Sequence, residues 1–255
     1  MVEQKNIALW SHPRSMSTTV ERYFRERGDC ECHHEPFMYY YYVKKNGKLY
    51  PGFEPENDRP CDLDAIAKMV SRPLANEPQV HHIFFKDMSY YITEHLEHLQ
   101  DVMKNLVSIF LIRDPRLSFA SYGKLDSNFS REEGGLKAQW QHYDFLKKKG
   151  QNPIVIDAAT IMSSPQKAMK LICDFAGIAF IEDALTWSAD QKPADWEQAK
   201  TWHAGVINST GFSPPQKINA DKVFQDAVSA LPKLQDYLDY HEPYYQRLKQ
   251  DEIVI

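Results

Sequence analysis

An α/β fold, with a central parallel sheet between two layers of helices, is predicted by three observations. Short apolar runs alternate with amphipathic stretches along the chain, the pattern of parallel strands joined by crossover helices. The length of 255 residues is one that doubly wound folds reach without dividing. Apolar residues make up 43% of the chain, enough for one core, and neither an internal repeat nor a Pro- or Gly-rich linker interrupts it. One domain over 1–255 is therefore expected, with a core over about 5–180 and a C-terminal loop and helices over 181–255 covering it.

The elements follow in order. The run IALW (7–10) is the first strand. A helix follows over 18–27, with Val20, Tyr23 and Phe24 on one side and Gly28 placed to end it in a left-handed cap. A second strand is expected around 31–34 and a third in VHHIFFKDM (80–88). ITEHLEHLQDVMKN (92–105) reads as a helix, because Leu96, Leu99 and Met103 recur at helical spacing. LVSIFLI (106–112) is the most sheet-like run, hence a central strand, and RDPRLSFASYG follows it at once. DSNFSREEGG (126–135) is polar and reads as a mobile segment, either a solvated loop or a lid. Then come a helix over 136–149, a strand in NPIVIDA (152–158) and a helix in SPQKAMKLICDFAGI, capped by Ser164 ahead of Pro165. WHAGVINSTGFSPP (202–215) reads as a loop, and two short helices close the chain.

Charge and composition exclude several functions. A net charge of −5 and a pI near 6.1 argue against a general polyanion surface, so no nucleic-acid partner is expected and an anionic ligand needs a local site. No run approaches the ~20 apolar residues of a membrane span. The opening MVEQKNIALW lacks the regions of a signal peptide. Cys30, Cys32, Cys61 and Cys173 form no dense framework, which fits a reducing, cytoplasmic location.

Between the first strand and its helix lies a turn without glycine: Ser11, His12, Pro13, Arg14, Ser15, Met16. A helix N-terminus presents unpaired N–H groups and partial positive charge, so a strand that feeds one is prepared for an oxyanion. Pro13 fixes a bend; Ser15, Ser17, Thr18 and Thr19 offer hydroxyls; Arg14 offers forked donors. An ordinary capped helix is the other reading. The nucleoside-triphosphate pattern G-x-x-x-x-G-K-[ST] is absent. A second anchor stands in FLIRDPRLSFASY, where a strand ends at Arg113 and Ser121 lies eight residues beyond. Two strand ends of one parallel sheet can grip opposite ends of one molecule. Against this, Arg113 has Asp114 as a ready ion-pair partner, and Ser121 is small enough to be mere packing.

Together the two anchors resemble the sulfotransferase superfamily, which uses 3′-phosphoadenosine 5′-phosphosulfate (PAPS) on a P-loop NTPase-like α/β fold. The family's 5′-phosphosulfate loop, P-[KR]-x-G-[ST]-T, is matched by PRSMST (13–18), with Met16 where glycine is common. Its 3′-phosphate motif is matched by Arg113 and Ser121. The segment 152–178 is similar to its strand, acidic turn and helix, and INSTGF (207–212) falls where a loop folds over the nucleotide. Arg14 in place of lysine looks more like the tyrosyl-protein and bacterial branches than the cytosolic animal enzymes.

The resemblance implies in-line sulfuryl transfer from PAPS to a hydroxyl or amine of a small-molecule acceptor, releasing adenosine 3′,5′-bisphosphate without a metal. It assigns Pro13, Arg14, Ser15, Met16, Ser17, Thr18 and Thr19 to the phosphosulfate end, Arg113 and Ser121 to the 3′-phosphate, and Ser209, Thr210 and Gly211 to the covering loop. CHHEPF (32–37) stands where the tyrosyl-protein branch has its catalytic glutamate, which selects Glu35 as base, with His34 and His33 as rivals. FFKDM puts Lys86 at the lysine of the cytosolic branch's lysine-x-histidine pattern and Met88 at its histidine. Lys86 either steers the reacting groups or snorkels at a strand edge.

CECHHE lacks the second ligand pair of a zinc site, so buried thiols are the better account and no metal is expected. FMYYYY (37–42) offers aromatic faces to an acceptor pocket or to the core, and Trp202 and His203 open the C-terminal loop towards the nucleotide. Two other functions remain open on these residues. One is an ATP phosphotransferase, which the missing G-K-[ST] disfavours. The other is a non-catalytic nucleotide-binding relative, supported by Met16 and Met88.

Overall fold

The computed structural model of the chain describes residues 2–47, 49–74, 79–189, 193, 196, 200–212 and 218–253. Five parallel strands form the sheet: β1 (Asn6–Ser11), β2 (Cys30–His34), β3 (His82–Met88), β4 (Val107–Ile112) and β5 (Ile154–Asp157), in the order β2-β3-β1-β4-β5. Strand β1 is central because it is apolar on both sides. Ile7 and Leu9 join the core under one helical layer, while Ala8 and Trp10 join the core under the other, as the two-residue strand period requires. Register aligns Leu9 with Lys86 and Ile109, and His34 with Lys86. The chain places β2 and β3 on one side of β1, and β4 and β5 on the other. Such a reversal opens a ligand crevice at the carboxyl ends of the strands.

One layer holds α1 (Ser17–Glu26) and α7 (Pro165–Ala176), whose Val20, Phe24, Met169 and Ile172 are buried against Leu9, Phe84 and Ile156. Phe24 and Phe84 stack with centroids 3.9 Å apart. The other layer holds α2 (Leu63–Ser71), α4 (Pro115–Leu125), α5 (Leu136–Lys148) and α10 (Leu234–Gln250), built over Trp10, Phe85 and Phe110. Gly28 takes φ +74 after α1 and Gly177 φ +70 after α7, as left-handed stops. Among the described residues, no helix is long and apolar enough to cross a membrane.

Several expectations are corrected. Residues 92–105 form no continuous helix; a 3₁₀ turn over Thr93–His95 is followed by α3 (Gln100–Met103). Leu96, Leu99 and Met103 are buried all the same, since a succession of short turns satisfies a spacing of three and four as well as one helix does. A six-residue α6 (Ala158–Ser163), capped by Asp157 Oδ1, precedes α7, and Ser164 makes no side-chain cap. The expected loop at 202–215 begins as α8 (Lys200–Ile207) despite Gly205, while 213–217 lie outside the described residues. The closing helices are α9 (Ala220–Ala230) and α10; the latter is not short, running 17 residues with Pro243 inside it.

The polar segment 126–135 is pinned rather than mobile. Phe129 has no solvent exposure and stacks on Tyr122 with centroids 4.1 Å apart. Its carbonyl oxygen accepts from Lys233 Nζ (2.7 Å) and Tyr237 Oη (3.0 Å) of the C-terminal region. One buried aromatic thus outweighs seven polar neighbours in deciding where the segment sits. Phe129→Ala is expected to lower unfolding free energy by about 3 kcal/mol in urea titration; a solvated loop position would change it by less than ~0.5 kcal/mol.

Candidate functional site

The turn after β1 reaches its shape without glycine. Arg14 (φ 63), Met16 (φ 72) and Glu35 (φ 44) are the non-glycine residues with positive φ among those described, and all three line one cavity of about 390 Å³. Left-handed conformations of such residues are costly and concentrate at ligand sites. Met16 is the N-cap of α1, yet no side chain caps this terminus and its first turn carries no acidic residue. Ser17, Thr18 and Thr19 line the cavity beside it. The ordinary capped helix is therefore not what the chain builds; an uncapped, ten-residue helix opens into the cleft.

Beneath the turn, His12 is fully buried between Gln139 Oε1 (3.0 Å to Nδ1) and Ser118 Oγ (3.2 Å to Nε2). Burial pushes its imidazole down to about 3, so it stays neutral and serves as a strut. Gln139 Nε2 completes the support by donating to the carbonyls of Trp10 (3.1 Å) and Leu111 (2.8 Å), at the ends of β1 and β4.

The two arginines meet. Arg113 Nη1 donates to the carbonyl oxygen of Arg14 (2.7 Å), and Arg14 Nε donates to Ser121 Oγ (3.0 Å). Arg14 Nη1 also donates to the carbonyl of Trp202 on α8 (2.6 Å). Among the described residues no carboxylate forms an ion pair with either guanidinium; Asp114 is taken by Arg116 (2.6 Å). Burial, and then Arg113, push Arg14 below its ordinary value, with Tyr122 and Glu35 opposing. Burial likewise lowers Arg113 against Asp114 and Asp157. Two part-buried cations without a counterion, beside an uncapped helix terminus, form a site that an anion stabilises.

The opposite wall is an ion-pair cluster. Lys86 Nζ donates to Glu35 Oε1, and Tyr91 Oη donates to Glu35 Oε2 (2.8 Å). Burial raises the Glu35 carboxyl, but Lys86, His34 and the bond from Tyr91 outweigh it and hold the group below the usual carboxylate range. Glu35 is thus an ionised acceptor at neutral pH. His34 does not line the cavity. Its Nδ1 lies 2.6 Å from Glu21 Oε2, and its Nε2 faces Glu35 Oε1 at 3.8 Å. Glu21, fully buried on α1, also accepts from Arg25 Nε (2.8 Å) and Trp196 Nε1 (3.0 Å). His33 lies on the other side, paired with Glu31 at 2.7 Å.

The cavity unites Pro13, Arg14, Met16, Ser17, Thr18 and Thr19 with Arg113 and Ser121, and adds Glu35, Lys86, Ser209 and Gly211. Ser15 and Thr210 are not brought to it. Flanked by two left-handed residues, Ser15 turns inward, and its Oγ is buried without a partner among the described residues. Thr210 faces a separate cleft beside Thr186 and Phe212. Lys86 is almost fully buried and does not snorkel. Of the tyrosines at 39–42, Tyr42 lines the cavity while Tyr39 packs against Phe53. Sequence reasoning missed Tyr50, Tyr90, Tyr91, Tyr122 and Met162, which also line the wall. The pair of tyrosines at 90 and 91, separated from Met88 by Ser89, was the available signal. Among the described residues no group of three His, Cys, Asp or Glu is placed to hold a metal.

Comparison with known proteins follows the same line. A family model described as sulfotransferase domain matches residues 5–239. Two proteins of Arabidopsis thaliana, branched-chain-amino-acid aminotransferase-like proteins 2 and 1, are each 31% identical, over 219 and 225 residues. The matches cover 83% and 85% of this chain but 37% and 38% of those proteins, so the chain spans little more than a third of their length. Among solved structures, the sulfotransferase domain from the curacin biosynthetic pathway superposes with a TM-score of 0.54 at 14% identity, covering 91% of this chain and 99% of that one, a likeness of fold.

The Glu21–His34 pair gives a pH signature. Burial raises the Glu21 carboxyl, but His34 and Arg25 hold it well below its ordinary 4.5. The stabilisation is therefore complete above that pH and lost as pH falls towards the folded value. Glu21→Gln is expected to cost about 3 kcal/mol at pH 7, and the gap to the wild type should narrow below pH ~4.5 in urea titrations run across that range.

Proposed function

The chain belongs to the sulfotransferase domain family, and from that premise we propose that it transfers a sulfuryl group from PAPS to a hydroxyl or amine of a small-molecule acceptor. The observation that carries this reading is the meeting of Arg14 and Arg113, two cations without a carboxylate, at the open end of α1. Two such cations suit a donor that carries two anionic groups. Arg14 and the N–H groups of Ser17 and Thr18 take the 5′-phosphosulfate; Arg113 and Ser121 take the 3′-phosphate. PAPS supplies the activated sulfur, and the residues present fit its charges without a metal.

The chain's own groups then perform three tasks. Arg14 and the helix terminus neutralise the oxygens of the leaving phosphate. Glu35 takes the proton of the acceptor as the new oxygen–sulfur or nitrogen–sulfur bond forms and the bond from sulfur to the 5′-phosphate breaks. Lys86, now bound to Glu35, is placed to turn towards the departing oxygen. Losing that ammonium leaves burial as the larger influence on Glu35, which raises its carboxyl and makes it a stronger base.

Ligand binding tests the reading. The wild type should bind adenosine 3′,5′-bisphosphate more tightly than AMP or magnesium ATP, measured by calorimetry. Arg113→Ala should weaken the bisphosphate by about 10- to 100-fold and AMP little, as expected for loss of a charged hydrogen bond; equal losses for both would remove the 3′-phosphate role. Glu35→Gln should keep bisphosphate affinity while sulfate transfer to any acceptor used by the wild type falls by ~10²–10⁴-fold.

A further inference from the structure

His203 is a polar side chain of this cavity wall that the proposed reaction leaves unused. It lies on α8 and is 6% exposed, and neither ring nitrogen has a hydrogen-bond partner among the described residues. The ring stands edge-on to His34 with centroids 4.6 Å apart, and tilted against Trp196 at 5.6 Å. That places it at the Glu35 end of the cavity, whose wall it shares with Glu35 and Lys86. Burial, with His34 and Lys86 adding to it, holds its imidazole well below the ordinary range. The ring is neutral, with one N–H donor and one bare acceptor nitrogen.

Three tyrosine hydroxyls at this end are already committed. Tyr91 Oη donates to Glu35, Tyr42 Oη to Glu133 Oε1 (3.0 Å), and Tyr50 Oη to the sulfur of Met38 (3.3 Å). Tyr90 Oη pairs with Tyr42 Oη (2.9 Å), so these tyrosines offer mainly ring faces, while both ring nitrogens of His203 lack a partner among the described residues. Helix α8 is fixed in place for this, since the Trp202 carbonyl accepts from Arg14 and Trp202 Nε1 donates to the carbonyl of Pro51 (2.8 Å). A buried imidazole left without partners costs free energy that a ligand returns.

We propose that His203 receives the reacting group of the acceptor, and that the acceptor carries this group on an aromatic body. The inference rests on the sulfotransferase reading. Glu35 takes the proton of a hydroxyl, while the His203 N–H holds the oxygen's spare lone pair. For an amine, the bare nitrogen holds the second proton. His203 acts by contact and placement, and it takes no proton from the reaction.

Phenol and toluene are suitable probes, titrated calorimetrically against the full chain with saturating adenosine 3′,5′-bisphosphate. The wild type should bind phenol more tightly than toluene. His203→Phe should weaken phenol by about tenfold, leave toluene unchanged and leave bisphosphate affinity within about twofold; His203→Asn should recover part of the phenol affinity. Should the phenylalanine variant not fold, ring-nitrogen NMR of the wild type decides: phenol must shift the His203 resonances and toluene must not. Equal phenol affinity in variant and wild type, no phenol binding to the wild type, or an equal loss of bisphosphate would each overturn the assignment. Loss of the sulfotransferase reading itself would appear separately, as failure of the wild type to bind bisphosphate while the phenol contrast stands.

Discussion

The bond from the Arg113 guanidinium to the carbonyl oxygen of Arg14 joins two parts of the chain separated by 99 residues. It fixes a peptide whose φ of 63 is costly for arginine, by roughly 1–2 kcal/mol. It also brings a second cation against the first, which electrostatics alone opposes. Both costs fall at one place, the carboxyl ends of β1 and β4, and the neutral strut of His12, Gln139 and Ser118 underneath holds that place together. A charged His12 at this point would add a third positive group to the cluster, and burial prevents it. The arrangement leaves both guanidiniums without a carboxylate partner among the described residues, which suits an anion.

Charge elsewhere in the cleft is treated in the opposite way. Glu35, Lys86, His34 and Glu21 form one buried cluster, each carboxylate being held by more than one partner. A buried network of this kind contributes little net stability compared with apolar packing, but breaking one link leaves a charge exposed to low dielectric. It acts as a fixed array that sets where Glu35 points. Beyond Glu35 the wall is aromatic, and the hydroxyls of Tyr42, Tyr50 and Tyr91 are bound to Glu133, Met38 and Glu35. The cavity thus combines excess positive charge, a balanced ion pair, ring faces and a neutral imidazole in one wall.

How much of this was legible follows from what each residue depends on. Strands β1, β4 and β5 were readable because buried parallel strands are written as apolar runs. Arg113 and Ser121 were readable because their eight-residue spacing is carried by one strand end and one helix. Tyr91 was not, since it acts through Glu35, distant in the chain, and His203 was pointed at the nucleotide while its packing on His34 and Trp196 stayed hidden. Phe129 was hidden by its polar neighbours, and α8 by Gly205, a helix-weakening residue that the packing of Trp202 and His203 overrides. Ser15 went astray for a backbone reason. Side-chain direction in a tight turn is set by φ, and the φ values of Arg14 and Met16 cannot be read from composition.

The turn without glycine poses the sharpest of these questions, and Met16 answers it. Anion cradles use glycine because φ near +70 is easy for it; what the anion needs is the direction of the N–H groups that this conformation sets. Met16 adopts φ 72 and begins α1 from it. Its side chain packs against the apolar core between α1 and the sheet, and burying a methionine side chain is worth up to ~1.5–3 kcal/mol, of the same order as the backbone cost. Glycine at 16 relieves the backbone and forfeits the packing, so neither residue is required by the geometry. The motif's glycine is one route to a left-handed N-cap, and a methionine anchored in the core is another.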